Sequence, residues 1–170
     1  MNRVTKHILL GGAGDVSDPS KFENIDAVLS CCPLRELEYE VPSGMKYCRI
    51  SINDEEEIDD RNLNRAMNFI SDCVRNDQQI LVHCYGGVSR SPSIVACYLS
   101  LSLGVPFQLA LNFVQECRSG VDPHKDIISS VNEYVVKNSL NLPLPLSLLI
   151  FPHFSSVNEY AVKNSTHLLV

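Results

Sequence analysis

From position 63 onward, apolar residues recur at intervals of three and four, the spacing that places side chains on one face of a helix. The first such segment contains Leu63, Ala66, Met67, Ile70, Cys73 and Val74. The second follows Gly104, opens at Pro106 and contains Phe107, Ala110, Leu111, Val114 and Cys117. The third opens at Pro123 and contains Ile127, Ile128, Val131, Tyr134 and Val135. The pattern predicts three amphipathic helices, each with one buried face.

A shorter apolar run, Ile80–Val82, has the length of a strand and leads through a glycine-containing segment into another apolar-periodic segment, Ser93–Leu99. These segments predict a strand, a tight loop and a helix. Strands separated by helices indicate an α/β fold: a single domain whose central, mainly parallel sheet is flanked by helices. Ligands of such sheets bind beyond the carboxyl ends of the strands, so we expect the functional residues in the loop after Val82.

That loop reads HCYGGVSRS from His83 to Ser91. A glycine-rich loop that enters a helix turns backbone N–H groups inward and adds the positive end of the helix dipole, so it suits an anion. This field favours the thiolate form of Cys84. A thiolate beside a phosphate cradle predicts phosphoryl transfer through a covalent phosphocysteine. The residues expected to bind the substrate phosphate are Tyr85, Gly86, Gly87, Val88, Ser89 and Arg90.

Four residues around Cys84 have predicted roles. The planar fork of Arg90 can hold two phosphate oxygens at once. Gly87 stands where the backbone must approach an anion closely and a side chain would obstruct it. The Ser91 hydroxyl would stabilise the departing thiolate, and His83 would hold the backbone of the nucleophile. Taken alone, Cys84 could also be a buried structural cysteine, His83 a core histidine and Arg90 a surface charge.

The motif His-Cys-x-x-Gly-x-x-Arg-Ser resembles the signature of cysteine-dependent protein phosphatases, and the chain is most similar to their small dual-specificity branch. Three further segments resemble strands of that family: His7–Gly12, Ile25–Ser30 and Tyr47–Ile52. The resemblance covers residues 1 to about 137 and implies a catalytic domain over 1–138. It also implies hydrolysis of phosphate monoesters without a metal or another cofactor.

The leaving oxygen of a phosphate ester needs a proton, which a positioned carboxylic acid supplies. The resemblance places this acid about thirty residues before the cysteine, on a loop after a strand, where Asp54 stands. Five more acids follow, and we interpret them as a solvated face: Glu55, Glu56, Glu57, Asp59 and Asp60. The last two also suit the start of the helix that follows, because acids favour the helix N-terminus.

Asp122 is a rival for the acid. Low-molecular-weight tyrosine phosphatases carry an Asp-Pro acid downstream of a similar loop, and Asp122–Pro123 resembles it. In that family, however, the nucleophile lies near the start of the chain, whereas Cys84 lies in the middle. Asp122 also fits an N-cap, with Pro123 in the first helical turn. We therefore favour Asp54.

Composition narrows the class of protein. With 170 residues, 45% of them hydrophobic, the chain can bury the core of one domain. A net charge of −6 offers no basic surface for nucleic acid, so the phosphate site would be a local positive pocket. The start of the chain shows no secretory signal. Seven cysteines without metal-type spacing suit reduced thiols, which predicts a protein of the cytoplasm or nucleus. Cys31 and Cys32 fit core packing better than a resolving role toward an oxidised Cys84.

The segment from 139 to 170 is an extension in which 155–165 repeats 129–139, with Ala161 in place of Val135. The apolar stretch between the copies is too short and too rich in proline for a membrane-spanning helix. A recent duplication explains the repeat most simply. The second copy would also allow a dimer in which it replaces the first copy in its groove.

The loop also bears on the substrate. It contains no lysine, unlike the basic loops of similar inositol-lipid phosphatases, and Ser89 stands where similar glucan phosphatases have glycine. We therefore expect a phosphoprotein substrate, with phosphotyrosine and phosphoserine or phosphothreonine both open. The alternatives are a lipid or glycan phosphatase of the same fold and a phosphopeptide-binding module without turnover.

Overall fold

The computed structural model describes residues 1–139 and contains one five-stranded sheet. Its strands are β1 (Asn2–Arg3), β2 (Ile8–Gly11), β3 (Ala27–Ser30), β4 (Lys46–Arg49) and β5 (Ile80–His83). They lie in the order β1-β2-β5-β3-β4, and every pairing except β1 with β2 is parallel. The predicted α/β fold with a mainly parallel sheet is therefore confirmed.

Six helical segments within residues 1–139 flank the sheet. They are α1 (Ala13–Val16), a 3₁₀ helix (Pro19–Phe22), α2 (Asp60–Arg75), α3 (Arg90–Leu103), α4 (Phe107–Cys117) and α5 (Lys125–Ser139). All six apolar residues predicted to face inward on α2 are buried. Gly104 ends α3 in the left-handed conformation, at φ 66°, as a glycine after a helix often does. The three amphipathic helices and their buried faces are confirmed, with Cys117 and Ile128 only partly covered.

The start of the last helix differs from the prediction. The helix α5 begins at Lys125, so Asp122 is not its N-cap and Pro123 is not in its first turn. Asp122 N instead donates to the Val88 carbonyl at 3.0 Å, and His124 N donates to Ser89 Oγ at 3.1 Å. These contacts hold the preceding segment against the loop after β5, and the helix begins only after them.

The strand β5 lies in the middle of the sheet, fully buried between β2 and β3. Its carboxyl end delivers His83 and then the loop, and α3 carries the chain back across the sheet. No helix in the described part of the chain is long and apolar enough to span a membrane. The repeat at 155–165, and with it the predicted dimer, lies outside the described residues.

Candidate active site

Cys84 follows the last residue of β5 and is almost completely buried. Its Sγ accepts hydrogen bonds from Gly87 N and from Ser91 Oγ, both at 3.2 Å. Ser91 therefore lies beside the sulfur, as the sequence predicted. Two donors aimed at one sulfur stabilise a thiolate more than a thiol, because the negative charge is the better acceptor.

The carbonyls of residues 85–89 all face away from the site and accept hydrogen bonds, four of them from other segments and that of Ser89 from the first turn of α3. Their donors are Ala13 N to Tyr85 (2.8 Å), Arg118 Nη2 to Gly86 (3.3 Å), Arg118 Nε to Gly87 (3.0 Å), Asp122 N to Val88 (3.0 Å) and Ser93 N to Ser89 (3.2 Å). Because carbonyl and N–H groups of a trans peptide point in opposite directions, this arrangement turns the amides toward the interior of the loop.

Those amides are free to bind a ligand. Within residues 1–139, five of them donate to no backbone or side-chain acceptor: those of Tyr85, Gly86, Val88, Ser89 and Arg90. Residues 85, 86 and 88 are exposed, so a ligand can reach these amides from solvent, and successive unpaired N–H groups in a tight loop are a recurrent anion-binding arrangement. The loop thus forms an anion-binding cradle around Cys84 at the N-terminus of α3.

Gly87 is required for a reason that the sequence did not reveal. Its φ is +67°, a conformation that side chains rarely adopt. A Cβ at this position would lie 2.6 Å from the Gly11 carbonyl oxygen and 2.7 Å from Arg118 Nη2. The close approach is therefore to neighbouring protein behind the loop as well as to any anion in front of it.

Arg90 is held from behind. Its side chain is 3% exposed, and Nη1 donates to Glu36 Oε2 at 2.6 Å and to the Ile52 carbonyl at 3.2 Å. Burial is the largest single influence and lowers the pKa of Arg90, but the bond to Glu36 together with the nearby Cys32, Cys84 and Asp54 raises the pKa overall. Nε lies 3.4 Å from Asp54 Oδ1 and makes no hydrogen bond to the described residues. One face of the guanidinium is thus fixed while a donor remains for a ligand.

His83 touches the backbone of Cys84, where the sequence placed it. Its Nδ1 lies 3.3 Å from the Cys84 carbonyl oxygen, and its Nε2 lies 2.6 Å from the Tyr39 hydroxyl. A carbonyl only accepts, so Nδ1 carries the proton and Nε2 accepts from Tyr39. Burial lowers the pKa of His83 to about 4, so the ring is neutral near pH 7.

Both candidate acids line one cavity of about 570 Å³ above the cradle. Asp54 and Glu55 form one wall, and residues 122–125 form another. Glu55 is exposed, as expected for a solvated face, and it also lines the pocket. Asp59 and Asp60 lie at the start of α2 as predicted, where Asp59 Oδ1 accepts from Asn62 N at 2.8 Å.

Sequence reasoning missed three residues that hold the site: Glu36, Tyr39 and Arg118. None lies in a motif, and each reaches the loop from another part of the chain. The buried pair Cys31 and Cys32, by contrast, behaves as expected for core packing. Burial raises the pKa of Cys32 to about 12 and keeps its thiol protonated.

Comparison with known proteins agrees with this geometry. The sequence model of the dual specificity phosphatase catalytic domain matches residues 8–137. The chain belongs to the dual specificity phosphatase family. The family predicted from the signature is thereby confirmed, and most of the described chain constitutes the catalytic domain.

Several relatives of this phosphatase domain have been characterised by sequence or structure. It is 33% identical to mouse protein phosphatase Slingshot homolog 1 over 134 residues, 77% of this chain and 13% of that protein. It is 27% identical to mouse dual specificity protein phosphatase 15 over 143 residues, 84% of this chain and 60% of that protein. The chain thus spans only part of these relatives. The crystal structure of DUSP15 shares the fold, with a TM-score of 0.75 and 24% identity over 83% of this chain and 90% of that one.

Proposed function

We propose that the protein hydrolyses phosphotyrosine and phosphoserine or phosphothreonine in proteins through a phosphocysteine on Cys84. The observation that carries this proposal is the set of five unpaired amides of residues 85, 86 and 88–90 in the loop that directly follows the buried sulfur of Cys84. The amides and Arg90 would bind the three non-bridging oxygens of a phosphate monoester. This places phosphorus in line with Cys84 Sγ, where positioning and electrostatic stabilisation supply most of the catalysis.

Two chemical steps follow. In the first, the thiolate attacks phosphorus, the S–P bond forms and the P–O bond to the leaving group breaks. The leaving oxygen takes a proton from the Asp54 carboxylic acid. In the second, water attacks phosphorus, Asp54 takes its proton, and the S–P bond breaks to release inorganic phosphate. The departing thiolate is stabilised by Ser91 Oγ and Gly87 N, the two donors already aimed at it.

Asp54 is the better candidate for the acid. It lies 3.4 Å from Arg90 Nε, so it stands beside the group proposed to hold the phosphate. Asp122 lines the same cavity, but its segment is hydrogen-bonded to Val88 and Ser89 behind the phosphate-binding amides. A proton donor must reach the bridging oxygen on the open side of phosphorus, opposite the sulfur.

Matched substitutions of the two acids test this assignment. We expect Asp54→Asn to slow hydrolysis of a phosphotyrosine peptide by about 100-fold or more, since general acids supply about 10²–10⁴-fold. The loss should shrink for aryl phosphates with good leaving groups, which need no proton. Asp122→Asn should change neither rate greatly, and Cys84→Ser should abolish turnover. If Asp122→Asn showed the leaving-group dependence and Asp54→Asn did not, the assignment would be wrong.

A lipid substrate is the second candidate, because the fold is shared with PTPMT1, whose structure has been determined in complex with PI(5)P. That likeness is at 20% sequence identity and a TM-score of 0.72. Here three exposed acids, Asp54, Glu55 and Asp122, outnumber the one exposed lysine at the cavity, Lys125, and the chain carries a net charge of −6. Both features disfavour an anionic membrane surface. Release of phosphate from phosphopeptides but not from PI(5)P vesicles would support the protein substrate, and the reverse would overturn it.

Turnover separates an enzyme from a module that only binds phosphopeptides. The nucleophile, the arginine and an acid stand together at one cavity, which is the set that catalysis needs. We therefore expect release of inorganic phosphate from an aryl phosphate, inhibited by vanadate. Binding of a phosphopeptide without any release would favour the non-enzymatic alternative.

A further inference from the structure

Arg118, the residue that follows α4, contacts the phosphate-binding loop from behind. Its Nε donates to the Gly87 carbonyl at 3.0 Å and its Nη2 to the Gly86 carbonyl at 3.3 Å. Its third nitrogen, Nη1, donates to Asn2 Oδ1 at 2.8 Å. Arg118 forms no ion pair with any described residue, so its positive charge is directed at neutral acceptors, two of them in the loop.

The two carbonyls determine where two amides point. The Gly86 carbonyl belongs to the same planar peptide as the Gly87 N–H, and the two groups face opposite directions. With the carbonyl held outward, the Gly87 N–H points inward, where it donates to Cys84 Sγ at 3.2 Å. By the same geometry, holding the Gly87 carbonyl outward turns the Val88 N–H toward the cradle. A nearby cation also polarises both peptides, which strengthens their N–H groups as donors.

We infer that Arg118 is a positioning residue that aims the Gly87 amide at the thiolate and the Val88 amide at the substrate phosphate. The loop needs such a clamp because glycine adopts positive and negative φ with similar ease. With two adjacent glycines, the peptide between them can rotate unless something fixes its carbonyl. Arg118 supplies that restraint from 31 residues away. The kinetic consequence rests on the proposed phosphatase activity, whereas the geometric one does not.

Alkylation of Cys84 tests the inference without turnover. Iodoacetamide is uncharged, so its rate reports how much of Cys84 is thiolate. Iodoacetate is an anion, so its rate also reports how well the loop attracts negative charge. Mass spectrometry identifies the modified cysteine. We expect Arg118→Met to move the pH midpoint of iodoacetamide alkylation upward and to reduce the preference for iodoacetate. The kcat/KM for an aryl phosphate should fall about 10- to 100-fold, as expected for loss of a charge-assisted hydrogen bond. Arg118→Lys keeps the charge but not the planar fork of donors, so its alkylation and kcat/KM values should lie between those of wild type and Arg118→Met.

Two control variants separate positioning from stability. Asn2→Ala removes only the Nη1 contact and should leave alkylation unchanged. Arg75→Met alters an exposed arginine of α2 whose hydrogen bond goes to the Ser71 carbonyl of its own helix at 3.2 Å, and should change nothing.

The inference is overturned if Arg118→Met alkylates with the wild-type midpoint and anion preference, whatever its melting temperature. Should that variant not fold, Arg118→Lys decides in the same way, and a wild-type profile overturns the inference. If wild-type protein released no phosphate from any ester, the proposed function would fail while the alkylation comparison still tested Arg118.

Discussion

Replacing Glu36 by alanine would test the ion pair behind the phosphate site. The Arg90 side chain is 3% exposed and that of Glu36 is 29% exposed, with 2.6 Å between Nη1 and Oε2. Without this carboxylate, the nearest oxygens to Arg90 are the Ile52 carbonyl at 3.2 Å and Asp54 at 3.4 Å. A buried cation that loses its counter-charge destabilises the folded state.

The expected loss follows from the exposure of the pair. Breaking a fully buried pair costs about 3–5 kcal/mol, whereas a hydrogen bond to a charged group contributes about 1.5–3 kcal/mol. Because Glu36 is partly solvated and Arg90 keeps two oxygen neighbours, we expect about 2 kcal/mol. For a domain of this size, the melting temperature should fall by about 4–8 °C. The kcat/KM should fall too, because the guanidinium loses the contact that fixes its plane.

Urea unfolding followed by circular dichroism would measure the free energy of unfolding, and hydrolysis of an aryl phosphate would measure kcat/KM. Glu38→Ala is the matched control, since Glu38 is exposed and lies on the same loop. Glu36→Gln keeps an oxygen acceptor but no charge, and should lie between wild type and Glu36→Ala. A Glu36→Ala variant within about 0.5 kcal/mol of the Glu38→Ala control, with unchanged kcat/KM, would refute the reasoning.

Two further predictions concern the loop and its histidine. Gly87→Ala should lower the free energy of unfolding by at least about 1–2 kcal/mol, because the φ of Gly87 is +67° and a Cβ would meet the Gly11 carbonyl. The control is Gly14→Ala, which should cost no stability because a Cβ there would have nothing within 4 Å. Equal effects of the two substitutions in thermal unfolding would contradict this prediction. Burial lowers the pKa of His83 from 6.5 to about 4. The neutral ring therefore contributes its full share of the free energy of unfolding above pH 6.5, and about 3 kcal/mol of that free energy is lost as the pH falls toward 4. Urea unfolding at pH 7.5 and 4.5 should show a smaller acid loss for His83→Asn, and equal losses would exclude this role.

The sequence predicted the parts of the site that lie in one contiguous stretch. A strand, a glycine loop and a helix start leave local signals, so the positions of Cys84, Ser91 and the cradle followed from nine residues. The supporting contacts left no such signal. Glu36 stands among charged residues between β3 and β4, 54 positions before Arg90, and nothing local distinguishes it from its neighbours.

The start of α5 shows the opposite failure, in which a local signal was present but tertiary contacts overrode it. Asp-Pro before an apolar periodic segment is typical of a helix start. Here Asp122 N and His124 N donate to Val88 and Ser89 of the loop instead. Hydrogen bonds to a distant segment cannot be read from local preference, so the helix begins two residues later than predicted, at Lys125.

The outward carbonyls of the loop also limit how far its nine-residue motif can be transplanted. Three donor residues from two separate segments, Ala13 in one and Arg118 and Asp122 in the other, satisfy four of these carbonyls. A host protein given only the motif would lack those donors, and its peptides would turn toward water. Grafting the activity therefore requires the β2–α1 turn and the α4–α5 connection as well, and the smallest portable unit is most of the domain.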